Sequence, residues 1–427
     1  MKGTAEILSI PFVSKQFFRV SEWTCATASH GEHMATPAPL QEPRNISVAL
    51  GGPLYRRIAR LHLLGQFPSS LNRQAILAIL LSWVPLAVLS LVQGHFVEGV
   101  TLSFFRDIET HVRFLVSLPA LILAEMVVHL RIRPTMKRFV ERHLVIPEEL
   151  PKYYAAIDAG VRFHDSVVSE IALLVFVFTG GMWIWRHQIA VGTASWYASS
   201  QGGHMHLTMA GYWLAFVSVP IFQFILLRWY MKILIWFWFL LQVSHLKLRL
   251  LSLHPDRAGG LGFVGASSMA CAPLLFAHSA LLSGHIASRI FYNKESLFSS
   301  ELSILIYVLL SVLVALGPLF LFTPQLIRSK RKGLAKYGNF ASGFVTDFDE
   351  KWLKTDVNDV PMLAGGDIQS LADLGNSFAV VREMRAVPIS THDILLLFAV
   401  TIGPFLPLLL TIMPLDQLVI QAIKIIF

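Results

Sequence analysis

MKILIWFWFLLQVSH, Met231 to His245, follows the apolar run TMAGYWLAFVSVPIFQFILL (208–227) with no turn residue between them. Whether it crosses a bilayer decides the topology of everything after it. Runs near the roughly 20 apolar residues that span a hydrocarbon core occur at 74–93, 113–130, 167–186, 208–227, 267–289, 302–323 and 394–413. If 231–245 does not cross and the amino end lies inside, 29 Lys and Arg residues fall on the inner side and six on the outer. If it crosses, the split becomes 20 to 15. Basic residues near span ends are retained on the cytoplasmic side, and RSKRKGLAK (328–336) is such a cluster. Seven spans are therefore expected, with the amino end cytoplasmic and the carboxyl end outside. Residues 231–245 then extend the fourth span or fold back along the interface. A helix so rich in Trp, Phe and Leu must pack on other helices of the chain or on a second copy in a homo-oligomer.

Composition points the same way. The chain is 54% hydrophobic and 15% charged, well short of the roughly one-quarter charged residues of soluble domains. The net charge of +8 reads as cytoplasmic loops, so no nucleic-acid partner is expected. Cys25 and Cys271, far apart, indicate no disulfide framework. The expected fold class is an all-α polytopic helical membrane protein, with about seven transmembrane helices plus cytoplasmic or interfacial helices. Residues 1–50 read as a poorly ordered tail without a cleavable signal peptide, and Met34 would itself make a start. Residues 51–73 carry LYRRIARLHLLG (54–65), a basic amphipathic helix for the inner leaflet. The six-span bundle follows at 74–327, then a cytoplasmic segment (328–392), then the last span with an amphipathic tail (393–427).

HPDRAGGLGF, His254 to Phe263, falls at the inner membrane surface before the fifth span. Pro255 cannot extend a helix, and Gly259 and Gly260 permit positive φ. Consecutive N–H groups there, next to a helix start, form an anion nest to which Arg257 adds charge. The alternative is a tight interhelical turn in which Asp256 caps the following helix. Ionisable groups inside the membrane are expensive and mark function. Glu125, His129, Asp165 and Glu170 fall at similar shallow cytoplasmic depth, able to relay protons, hold a divalent cation, or pair with Arg131 or Arg162. His278 and His285, seven apart, share one helix face near Ser267, Cys271 and Ser288, a polar lining for a pore or cavity. His187, His204 and His206 resemble a loose metal patch outside.

In the cytoplasmic segment, Thr346 and Asp349 have capping-box spacing. Asp367 reads as the cap of a helix whose apolar face is Leu371, Leu374, Phe378 and Val381. Asp347, Asp349, Glu350, Asp356 and Asp359 make an acidic patch without EF-hand spacing.

HPDRAGGLGF, GGDIQSLADLGNSFAVVREMRAVP (365–388) and the span layout resemble functionally uncharacterised bacterial multi-pass inner-membrane proteins. The resemblance covers the chain from about residue 50 and implies a bacterial inner membrane, with no catalytic residue to carry over. No P-loop, nucleophile elbow, zinc-protease helix or inverted repeat is visible. The expected function is a channel or transporter for a small ion or solute, as a single chain or an oligomer, with no cofactor predicted and enzymatic activity left open. The alternatives are a membrane-bound redox protein or enzyme using the carboxylate–histidine cluster with a metal or haem, or a scaffold or sensor acting through 328–392.

Overall fold

The computed structural model describes residues 69–181, 195–201, 204–354 and 366–411. The expected amino-terminal tail and amphipathic helix, His187, Asp356, Asp359 and the carboxyl-terminal tail lie outside the described residues. Six helices are long and apolar enough to cross a membrane. They are α1 (Leu71–Val92), α2 (Ile108–Glu141), α5 (Met209–His245), α6 (Gly262–Asn293), α7 (Leu297–Trp352) and α9 (Thr391–Thr411). Between them lie α3 (Leu150–His164), α8 (Asp367–Arg382) and the shorter apolar α4 (Val167–Gly181). The rest of the expected third span, 182–186, lies outside the described residues. An antiparallel hairpin pairs β1 (Ala198–Gln201) with β2 (His204–Leu207). The chain is an all-α polytopic protein.

Helix α5 runs through 231–245 without a break, because no Gly or Pro follows Pro220 before His245. Proline within a helix removes a ladder donor and crowds the preceding turn. Here wide π-helical turns at Leu214–Ser218 and Val112–Ser117 precede Pro220 and Pro119 and absorb that misfit. At ~1.5 Å per residue, the 37 residues of α5 reach about 55 Å, far beyond a hydrocarbon core of about 30 Å. Its extension buries Met231, Ile235, Trp236, Phe239, Leu240 and Val243. The partner demanded by that apolar surface is α3 of the same chain. Gly160 lies against Ile235, the Tyr153 ring is 5.7 Å from that of Phe239, and the Tyr153 hydroxyl donates to Met136 O. Leu234 and Trp238 remain exposed.

The ends of the bundle are tied separately. At one end, rich in Lys and Arg, Arg249 N–H donates to Leu144 O (2.7 Å) and Val145 bridges Leu248. At the other, Trp196 N–H donates to Leu102 O (3.0 Å). The buried Trp196 indole donates to Asp107 Oδ2 (2.9 Å), which also accepts from the Thr110 hydroxyl. Of the expected third span, the structure describes the shorter apolar helix α4.

Two local expectations need correction. Thr346 does not start a helix: α7 is continuous to Trp352, and the Thr346 hydroxyl donates back to Ser342 O. A helix already nucleated in the bundle propagates more easily than a new one begins. Asp367 is not the cap either. Gly366 occupies that position, and Asp367 instead accepts from Lys351 Nζ and Trp352 Nε1. The Lys351 contact holds the exposed Asp367 carboxyl below its ordinary range. The expected face of α8 does dock: Leu371, Leu374 and Phe378 are half-buried and Val381 is fully buried.

Candidate functional site: a charged cleft between α1, α2 and α5

A cleft of 480 Å³ is lined by Gln74 of α1, Glu125 of α2, and Arg228, Trp229 and Lys232 of α5, with Leu77, Leu81 and Phe224 among its apolar walls. Lys232 is 4% exposed and donates from Nζ to Glu125 Oε1 at 2.7 Å. Its ammonium sits 5.0 Å from the Trp229 ring centroid. Trp229 is fixed in turn by its indole N–H, which donates to Leu121 O (2.7 Å). A lone ammonium or carboxylate among such apolar neighbours would be strongly disfavoured, whereas paired and hydrogen-bonded it is tolerated. Gln74 Nε2 is buried and has no hydrogen-bond partner among the described residues. That orphan donor is a place for an acceptor that the chain itself does not supply.

Behind the pair, at the α3–α4 junction, His164 is 2% exposed and its Nδ1 lies 3.1 Å from Asp165 Oδ1. Burial first, then the positive charge of Lys232 and Arg228, pushes the His164 imidazole down to about 4 despite Asp165. His164 is therefore neutral near pH 7, and its buried Nε2 has no hydrogen-bond partner among the described residues. Helix α4 begins beside it, with the Ser166 hydroxyl accepting from Ser169 N–H and Glu170 buried in the first turn.

Of the four depth-matched residues, Glu125 alone lines the cleft. His129, one turn further along α2, does not, nor do Asp165 and Glu170. Among the described residues no three His, Cys, Asp or Glu are grouped so as to hold a metal ion. Lys232 was the partner to find. A lysine inside ILIWFWFLL-type sequence is affordable only if neutralised, and that was the available signal.

The expected lining on α6 is not a shared surface. The Ser267 hydroxyl donates to Val264 O within its own helix (2.6 Å). His278 has both ring nitrogens engaged, Nδ1 with Leu274 O and Nε2 with the Tyr230 hydroxyl, so neither is open to a haem iron. His285 lies at the opposite end, with Nδ1 3.5 Å from Glu109 Oε2. Ser288 is half-buried one turn beyond Gly284. None of these four lines the Lys232 cleft.

The loop at 254–263 does form a nest, and the chain's own carboxylate fills it. Asp256 Oδ1 accepts from Ala258 N–H (2.8 Å) and Gly260 N–H (3.1 Å), and Oδ2 accepts from Gly262 N–H (2.8 Å) at the start of α6. Burial alone would raise the Asp256 pKa, but these three donors outweigh it and hold the carboxyl below its ordinary range. Positive φ at Arg257, Gly259 and Gly260 turns the N–H groups inward. His254 Nδ1 approaches Asp256 Oδ1 to 2.9 Å. The donors that an external anion would need are thus engaged by Asp256. Arg257 faces Glu383 (3.0 Å) rather than an anion in the nest. Arg385 closes the loop from the REMRAVP stretch, with its guanidinium on Asp256 O and its own N–H on Arg257 O, each at 2.7 Å.

Comparison of the chain with known protein families, with characterised proteins and with solved structures finds no match.

Proposed function

We propose that the protein is a membrane transporter of a small charged solute or ion, with the Glu125–Lys232 pair as its exchange centre. The observation carrying this reading is a nearly inaccessible ion pair forming part of the wall of a 480 Å³ cleft among candidate membrane spans. That volume lies within the ordinary range of small-molecule sites, about 300–1,000 Å³. A buried pair is stable because each partner neutralises the other. An anion enters by taking Glu125's place on Lys232, or a cation by taking Lys232's place on Glu125. For an anion the second contact is the unsatisfied Gln74 amide N–H or the Arg228 guanidinium. The proposed setting is a bacterial inner membrane with the cleft near its cytoplasmic face, as the distribution of Lys and Arg favours.

The test is flux in proteoliposomes loaded in turn with chloride, phosphate, acetate and potassium. The double variant Lys232→Met/Glu125→Gln removes both charges together, so neither is left stranded. At least a tenfold fall in flux is expected from a variant that still elutes and melts like wild type. Equal flux in wild type and double variant rejects the proposal. So does wild-type protein that moves none of these solutes faster than protein-free vesicles.

A further inference from the structure

A second cavity, of 590 Å³, opens at the basic end between the 245–252 strap and the first turns of α7 beyond the bundle. It shares no lining residue with the Lys232 cleft, and its role stands apart from the transport reading. Arg328, Lys332 and Lys336 lie four residues apart on α7, so they form one stripe along a helix face. Lys247 and His245 complete the wall from the strap, and no Asp or Glu lines the cavity. None of the four Lys and Arg residues has an ion pair among the described residues, although Arg257, Lys351 and Lys354 at the same end do. Like charges at four-residue spacing repel and destabilise a helix. A concave surface that gathers four cations without a counter-charge favours an anion of more than one charge.

We infer that this cavity binds a phosphate group, either on the headgroup of an anionic lipid or on a free phosphorylated solute. Arginine offers a planar fork matched to phosphate oxygens, and lysines add point charge around it. Gln325 strengthens the assignment. Its Nε2 donates to Ser244 O and Leu246 O, fixing the amide, while its buried Oε1 has no donor among the described residues. Such an acceptor suits a ligand hydroxyl beside the phosphate. The strap holding Lys247 continues within a few residues into the 254–263 loop. On the α7 side the Ser329 carbonyl accepts from the Ser252 hydroxyl (3.0 Å).

The experiment compares wild type with Arg328→Gln/Lys332→Gln/Lys336→Gln, and with the milder Lys247→Gln/Lys332→Gln. All four substituted side chains are exposed, and elution and melting profiles check folding. In neutral detergent, inorganic phosphate is titrated at constant ionic strength by calorimetry. In nanodiscs of phosphatidylcholine with one-fifth phosphatidylglycerol, retained lipid is counted by native mass spectrometry. Phosphate affinity at least tenfold weaker in the triple variant assigns a soluble ligand. Phosphatidylglycerol retention lost in the triple variant, without phosphate binding to wild type, assigns a lipid headgroup. The milder variant should fall between. Wild type and variants that behave alike in both arms overturn the inference.

Discussion

At Lys232 a single ammonium is held by one carboxylate, one indole face and an apolar shell. Removing only the cation, as Lys232→Met, strands Glu125 and should destabilise the protein by roughly 3–5 kcal/mol. Removing both charges, as Lys232→Met/Glu125→Gln, should restore stability to within about 1 kcal/mol of wild type, since a pair deleted whole leaves no uncompensated charge. Thermal unfolding of the three proteins in one detergent decides this: a double variant no more stable than the single would mean that the pair is not coupled. His164 gives a pH test with a definite sign. Its folded pKa of about 4 lies below the unfolded value of ~6.5, so the unfolded chain binds more protons between those values. The contribution is fully present above pH ~6.5 and is lost as pH falls toward 4, amounting to about 2 kcal/mol between pH 7 and pH 5. His164→Gln should flatten that part of the melting-temperature profile. An unchanged slope would place the titration elsewhere. Glu125 was legible in the sequence because a carboxylate in LILAEMVVHL has no local excuse. Its partner was not, because Lys232 lies over 100 positions away and only packing of α2 on α5 brings the two together.

Among the elements, the two motifs singled out from the sequence prove to be halves of one junction. The 254–263 loop receives Arg385, Glu383 and Met384 from the chain after α8, and the Lys330 ammonium of α7 donates to Met384 O (2.8 Å). Met384 is 1% exposed, beside Gly259, where a Cβ would meet the Met384 methyl at 3.0 Å. The start of α6 is fitted as closely. A Cβ on Gly265 would lie 2.2 Å from Pro388 O, a backbone atom that cannot swing aside. Gly265→Ala should therefore push the 388–393 segment off α6 and lower stability by roughly 3 kcal/mol, at the upper end of typical overpacking penalties. A melting temperature within 1 °C of wild type would show that the approach is looser than the geometry indicates. Periodicity gave these helices their existence and apolar faces, as with Leu371, Leu374, Phe378 and Val381. It failed at Thr346, where a local capping pattern competed with a helix already propagating out of the bundle. Loop contacts such as Arg385 on Asp256 carry no periodic signal at all.

Over the whole molecule, the apolar windows of α1 and α9 are only 22% buried within the protein. Leu302, Leu305, Leu309 and Leu313 form a continuous exposed stripe on α7. Surfaces of this extent need a non-aqueous neighbour, and lipid supplies one on all sides at the depth of the spans. The same physics underlies the expectation that charge sets the topology. With α5 unbroken to His245, the segments 131–165, 246–261, 328–354 and 366–390 all belong to the basic end, and the observed ties join them to one another. Leu144 meets Arg249, Ser252 meets Ser329, and Asp256 meets Arg385. The opposite end is joined by its own contacts, Leu102 with Trp196 and Arg106 with Tyr292. If positive charge is retained in the cytoplasm, a cysteine in place of Gly343 lies inside and one in place of the exposed Val97 lies outside. Membrane-impermeant maleimide should then label Val97→Cys in intact cells, and Gly343→Cys only after permeabilisation. With Cys25 and Cys271 replaced by serine, each signal belongs to one site. The reverse pattern would invert the molecule and place the phosphate cavity outside the cell. Labelling of both sites in intact cells would put two ends joined to α7 on one side, which its length and apolar stripe forbid for a spanning helix, and the membrane reading of α7 itself would fall.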